Sequence, residues 1–196
     1  MSCESIQLLK RVARGNLRER IAEFSAAQRT TASAALVTHM LRTEVWQRAT
    51  GVLLFRALDD EPSLDALARD ALARGTMLAM PRIETDGRMT LRRVESLRED
   101  AWDIDAYGIQ SPNGVEIDAA QFDFIAVPGV GFAPDGARVG RGKGYYDRLL
   151  ASLPNESTTV GIAFACQILN RLPTEPHDAR VQWIATEDGV FRASLT

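Results

Sequence analysis

The chain has 196 residues, 45% hydrophobic and 25% charged, which is enough for one globular unit with a real core. Its 23 basic and 26 acidic residues leave a net charge of −3, which argues against a general binder of nucleic acid or anionic membrane. The longest uncharged run, Ser157–Asn170, has 14 residues, short of the roughly 20 that a membrane-spanning helix needs.

The first 43 residues read as a helical pair. Ile6, Leu9, Ala13, Leu17, Ile21 and Phe24 recur at helical spacing. Ser25 and Gln28 form a capping box that opens a second helix, with Ala32, Leu36, Val37, Met40 and Leu41 on one face. From about residue 50 the pattern alternates between strand and helix. Gly51–Phe55 is a short continuous apolar run, the signature of a buried parallel strand. Ser63 is expected to cap a helix carrying Leu64, Leu67, Ala68, Ala71 and Leu72, closed by Gly75. Thr76–Met80 is the next strand, ended by Pro81, and Met89–Val94 a further one. Residues 95–120 are acidic and irregular and read as a covering segment. Phe124–Val127 is a buried strand, and a helix with Tyr146, Leu149, Leu150 and Leu153 follows a long loop. Val160–Ala163 and Trp183–Ala185 complete the strands. This alternation predicts an α/β fold, a mostly parallel sheet with helices on both faces and ligands at the carboxyl ends of its strands.

Only Cys3 and Cys166 are present, which excludes a disulfide framework and a structural zinc site. With no basic-then-apolar signal pattern at the start, a reducing cytoplasm is the expected location. The basic residues are 21 arginines and two lysines, Lys10 and Lys143. Codon bias explains an arginine excess. Lysines that survive it are expected where a compact ammonium is needed and a planar guanidinium does not serve.

The strongest chemical signal lies between Gly129 and Asp147. Six glycines fall within sixteen residues, and Gly140, Gly142 and Gly144 alternate with Arg141 and Lys143 just before a helix. Such a loop frees the backbone for close approach and presents unpaired N–H groups at a helix N-terminus. It suits a polyphosphate. It is not a Walker A loop, because Ala137 and Gly144 stand where that motif has Gly and Ser or Thr. Any Mg²⁺ therefore needs carboxylates from elsewhere, and Asp147 and Asp178 are the candidates. Lys10 and Arg14 share a helix face at i,i+4, where a solvated basic face competes with an anion site. Glu61 follows the first strand, and Tyr107 is placed to stack on a planar ring.

The pattern Pro128-Gly129, Phe132, Gly136, Arg138-Val139-Gly140, Gly142, Gly144-Tyr145-Tyr146-Asp147 resembles the 5-formyltetrahydrofolate cyclo-ligase family, also called 5,10-methenyltetrahydrofolate synthetases. Lys10 with Arg14, Glu61, Pro81-Arg82, Gly108–Pro112, Gly161–Gln167 and Leu172–Asp178 extend the likeness over almost the whole chain. It implies one domain over 1–196, with a Rossmann-like fold similar to sugar-phosphate isomerases and CoA transferases. It implies that ATP and Mg²⁺ drive closure of 5-formyltetrahydrofolate to 5,10-methenyltetrahydrofolate. By the same resemblance Lys10, Arg14, Arg138, Val139, Gly140, Arg141, Gly142, Lys143, Gly144, Tyr145 and Tyr146 contact ATP. Asp147 and Asp178 hold Mg²⁺, and Glu61 and residues 141–145 contact folate, with Lys143 and Arg141 catalytic. Tyr107 is expected to stack on the substrate, while Arg56 either reaches a glutamyl carboxylate or points away. Gln182 departs from the family's usual Asp, which questions the support behind Asp178. A monomer is expected, with no nucleic-acid or membrane partner. Two other readings compete: an enzyme of this fold acting on another amide or carboxylate, and a non-catalytic binding module. Retention of Lys143 and Asp147 counts against the second.

Overall fold

The structure, a computed structural model, describes residues 3–175 and 178–194. In chain order the elements are α1 (Cys3–Ala22), α2 (Ala26–Leu41), a short α3 (Glu44–Gln47), β1 (Gly51–Leu53), α4 (Asp65–Ala73), β2 (Met77–Ile83), β3 (Met89–Arg93), β4 (Trp102–Ile104), β5 (Gln110–Pro112), β6 (Phe124–Pro128), β7 (Gly131–Phe132), β8 (Arg138–Val139), α5 (Tyr145–Ser152), β9 (Thr158–Ile162), β10 (Trp183–Thr186) and β11 (Gly189–Arg192).

Seven strands form one sheet in the order β11-β10-β9-β6-β1-β2-β3. The five inner strands run parallel, and both edge strands are antiparallel. From β1 the chain first builds outward through β2 and β3, then returns to the central strand β6 on the other side. The strand order therefore reverses at the β1–β6 junction, where a crevice opens in such sheets. Two cores cover the faces. One gathers Leu36, Met40, Trp46, Leu67 and Phe124 under α2, α3 and α4; the other gathers Ile125, Val127, Phe132, Leu149 and Ile184 under α5. Trp46 meets Phe124 edge-on at 5.1 Å and donates its indole N–H to Asp70 at 2.8 Å.

All six expected strands are present, and the capping box at Ser25 and Gln28 is closed in both directions, at 3.2 and 2.9 Å. Gly75, with φ +71°, ends α4 as expected. Four local expectations need correction. Pro81 does not stop its strand: the Ala79 carbonyl accepts the Leu54 N–H, so alternation turns position 81 toward the same side, beyond the last paired residue of β1. Ser63 is not the cap of α4; Leu64 holds that place, and the Ser63 hydroxyl takes only a long 3.4 Å bond from Asp65 N–H. Leu9 faces outward, 44% exposed, and the docked seam of α1 runs instead through Lys10, Leu17 and Ile21. The covering segment contains a hairpin, β4 paired with β5, and the chain adds an antiparallel edge strand, β11. Among the described residues no helix is long and apolar enough to cross a membrane.

Gly161 in β9 lies against the fully buried Phe132 ring, and a Cβ there would come within 2.5 Å of it. Gly161→Ala is therefore expected to lower stability by about 1–3 kcal/mol through overpacking, read as a lower urea midpoint with an unchanged slope.

Candidate active site

The carboxyl ends of β1, β2 and β6 open into a cavity of about 390 Å³. Every site residue expected from the sequence lines it, from Lys10, Arg14, Arg56, Glu61 and Tyr107 to the run Arg138–Asp147 and Asp178. Six basic and four acidic side chains line this space.

The glycine loop between β8 and α5 forms one wall. Gly142 and Gly144 sit at φ +97° and +69°, where side chains are strained. A Cβ on Gly140 would come 2.6 Å from Arg138 Nη1. Gly144 is the N-cap of α5, so the first-turn N–H groups of that helix lie at the cavity.

The charged side chains are held in distinct ways. Lys10, only 5% exposed, donates to Glu175 and Asp178, each at 2.8 Å. Burial works against the Lys10 charge, but its hydrogen bonds to Asp178 and Glu175 prevail and raise its pKa. Asp178 also accepts the Glu175 N–H at 2.6 Å, so both of its oxygens are engaged. Arg14 donates through Nε to the Gly140 carbonyl at 2.8 Å. Arg138 binds Asp147 at 2.6 Å and the Pro128 carbonyl at 3.2 Å. Arg141 forks onto Asp60 and Glu61, at 2.5 and 3.0 Å. Desolvation raises the Glu61 pKa despite the Leu58 N–H and Arg141, which pull it down. For Arg141, burial disfavours the charge, yet Asp60 and Glu61 keep its pKa above the ordinary value. Arg56 is committed to Asp65 at 3.1 Å and stacks over Trp102.

Two cations of the cavity lining have no carboxylate partner among the described residues. One is Arg14. The other is Lys143, whose ammonium lies 5.9 Å over the Tyr107 ring. Tyr107 and Tyr145 meet through their hydroxyls at 3.2 Å, a contact that raises the Tyr145 pKa. Burial does the same, more strongly, for Tyr146.

The family described as 5-formyltetrahydrofolate cyclo-ligase matches residues 7–187. The chain belongs to this family. The mouse 5-formyltetrahydrofolate cyclo-ligase is 28% identical, over 96% of this chain and 98% of its own, and the Haemophilus influenzae protein of that name is 28% identical over 84% and 90%. The solved 5,10-methenyltetrahydrofolate synthetase of Aquifex aeolicus superposes with a TM-score of 0.82 at 32% identity, covering 95% of this chain and 93% of its own.

Within this cyclo-ligase framework three further residues hold the site together. Glu175 anchors Lys10, and nothing in its local sequence marks it. Asp105 accepts the Tyr107 and Ile109 N–H groups at 2.8 and 3.0 Å and the Ser111 hydroxyl at 2.9 Å, fixing the Tyr107 turn. Its signal is legible as an Asx turn before Gly108, whose φ is +75°. Gln167, 1% exposed, donates to the Gly129 and Val130 carbonyls and so sets the exit of β6. Gln182, the family departure, accepts the Thr159 N–H at 3.1 Å. His177, part of the C-terminal motif, lies outside the described residues.

Removing Lys10 leaves two buried carboxylates facing each other. Lys10→Ala is expected to cost about 3 kcal/mol near neutral pH. Because its folded pKa is raised, the lysine's contribution is present in full below the ordinary 10.5 and fades only as pH rises through the folded value. Denaturation of parent and variant at pH 7 and pH 11 checks this: the gap should narrow at the higher pH.

Proposed function

We propose that this protein uses ATP to close 5-formyltetrahydrofolate to 5,10-methenyltetrahydrofolate, releasing ADP and phosphate. Family membership supports the reaction class. The observation that carries the reading is the placement of the two unpaired cations, Arg14 and Lys143, beside the glycine loop; the Arg14 guanidinium carbon lies 3.7 Å from where a Cβ on Gly142 would be.

A formamide oxygen is a poor leaving group until it is phosphorylated. Its phosphate ester is then displaced by the neighbouring N10 amine. Phosphoryl transfer asks for positioning and charge neutralisation rather than a protein nucleophile. Arg14, Lys143 and the α5 N–H groups bind the phosphates. Lys10 and Arg138 set the floor of that subsite, with Val139, Gly140, Tyr145 and Tyr146 as its walls. Glu61, Arg141 and Tyr107 hold the folate end, and Arg56 lies on its rim.

Among the described residues no three His, Cys, Asp or Glu side chains form a ready metal cluster. The donor set therefore fits Mg²⁺ only together with phosphate oxygens, the usual arrangement for this ion. Asp147 offers the oxygen not taken by Arg138. Asp178, whose two oxygens are engaged by Lys10 and the Glu175 N–H, would be the second holder through a remaining lone pair. Mg²⁺ would supply neutralisation of phosphate charge there. The chain acts as a single, monomeric domain in the cytoplasm on a small-molecule substrate.

Mixing the protein with ATP, Mg²⁺ and 5-formyltetrahydrofolate should produce the methenyl-folate absorbance; its absence at high enzyme concentration refutes the reaction. Lys143→Ala should lose at least about 2 kcal/mol of transition-state stabilisation, and Lys143→Arg should also be impaired, because a fork does not replace a point charge. Asp147→Asn should raise the Mg²⁺ concentration needed for half-maximal rate while leaving folate binding without ATP unchanged, measured by titration calorimetry.

A further inference from the structure

Two buried side-chain atoms take no hydrogen-bond partner among the described residues: the Tyr146 phenol oxygen and Arg138 Nε. Both belong to residues that line the same cavity. Leaving a buried hydroxyl unpaired destabilises a fold, so such atoms call for an explanation. The Tyr146 ring packs against the core beneath α5, which keeps the side chain from turning out to solvent. Glu61 and Arg138 line the same cavity as this phenol. In the reaction proposed above, Glu61 belongs to the folate end and Arg138 to the phosphate end. The phenol thus shares one cavity with both ends, and its unused O–H is available to the oxygen that passes between them.

We propose that Tyr146 is a catalytic hydrogen-bond donor to the oxygen that passes from the formyl group to phosphate, acting as the ring closes. This rests on the cyclisation reading. In the first step the formyl oxygen attacks the γ-phosphorus; that O–P bond forms, the bond to ADP breaks, and ADP leaves with the electron pair. In the second, the N10 lone pair attacks the formyl carbon. The carbon–oxygen bond breaks, phosphate departs with the electron pair, and the N10 proton passes to solvent. Negative charge grows on the departing oxygen, and a fixed O–H donor in a dry site stabilises such charge. Tyr146 keeps its own proton throughout.

Tyr146→Phe removes the hydroxyl and keeps the ring. In rapid-quench experiments ADP should appear at the parent's rate, while methenyl absorbance grows roughly a hundredfold more slowly. The dissociation constants of ATP and of folate, each titrated alone by calorimetry, should stay within about twofold. The variant without ligands should melt no lower than the parent, because the lost hydroxyl had no partner. Equal slowing of ADP and methenyl formation, or an unchanged rate of ring closure, overturns the assignment. So does a lower melting temperature, which marks a structural hydrogen bond. Absence of cyclisation by the parent protein overturns the reaction and the residue's role together.

Discussion

Burying the Lys10 ammonium is tolerable only because carboxylates meet it there, and those carboxylates, Glu175 and Asp178, come from the far end of the chain. The site depends on this cluster. α1 has a sparse apolar seam, with Leu17 and Ile21 buried but Leu8, Leu9 and Val12 turned outward, so hydrophobic burial alone does not fix its rotation. The ion cluster does. Once Lys10 is placed, helical geometry places Arg14 one turn later on the same face. Arg14 then holds the Gly140 carbonyl. The position of the glycine loop follows from a contact made two turns of logic away, between the first and last segments of the chain.

The basic residues divide the work by their chemistry. Arg138 and Arg141 act as planar forks, each reaching two or more acceptors at once. Several bonds from one rigid group lock a flexible loop at small entropic cost. Lys143 does the opposite. Its ammonium makes no hydrogen bond or ion pair among the described residues and rests over an aromatic face. A single ammonium on a flexible stem suits a charge that must follow a moving phosphoryl group. In a chain with 21 arginines, one lysine is buried between two carboxylates and the other rests over an aromatic ring.

Much of the fold was legible because buried parallel strands announce themselves as largely apolar runs, and the five such runs all became inner strands of the sheet. The glycine loop was legible because alternating glycines have few other uses beside a helix. The rest was hidden where a residue's role is set by a distant partner. Glu175 looks like any loop acid until Lys10 is folded against it. Leu9 fits the helical period as well as Lys10 does, and only the two carboxylates opposite decide which of them turns inward. Pro81 reads as a stop signal unless β1 is known to have ended alongside it. Edge strand β11 and the β4–β5 hairpin are short and half-exposed, so their sequences lack the apolar run that marked the inner strands.

What an anion in the cavity feels is set by its nearest charges rather than by the net charge of the chain. At physiological salt an exposed charge is screened beyond about 8 Å, so a polyanion outside feels the acidic surface, while one inside feels its immediate neighbours. Most of those neighbours are already neutralised. Lys10 faces Glu175 and Asp178, Arg56 faces Asp65, Arg138 faces Asp147, and Arg141 faces Asp60 and Glu61. Among the described residues the uncompensated positive charge of the lining is thereby confined to Arg14 and Lys143, close to backbone N–H groups at a helix start. An anion small enough to fill that space gains their attraction without breaking any ion pair. Where the ion pairs leave positive charge unspent therefore sets where a small anion gains most, which is beside the glycine loop.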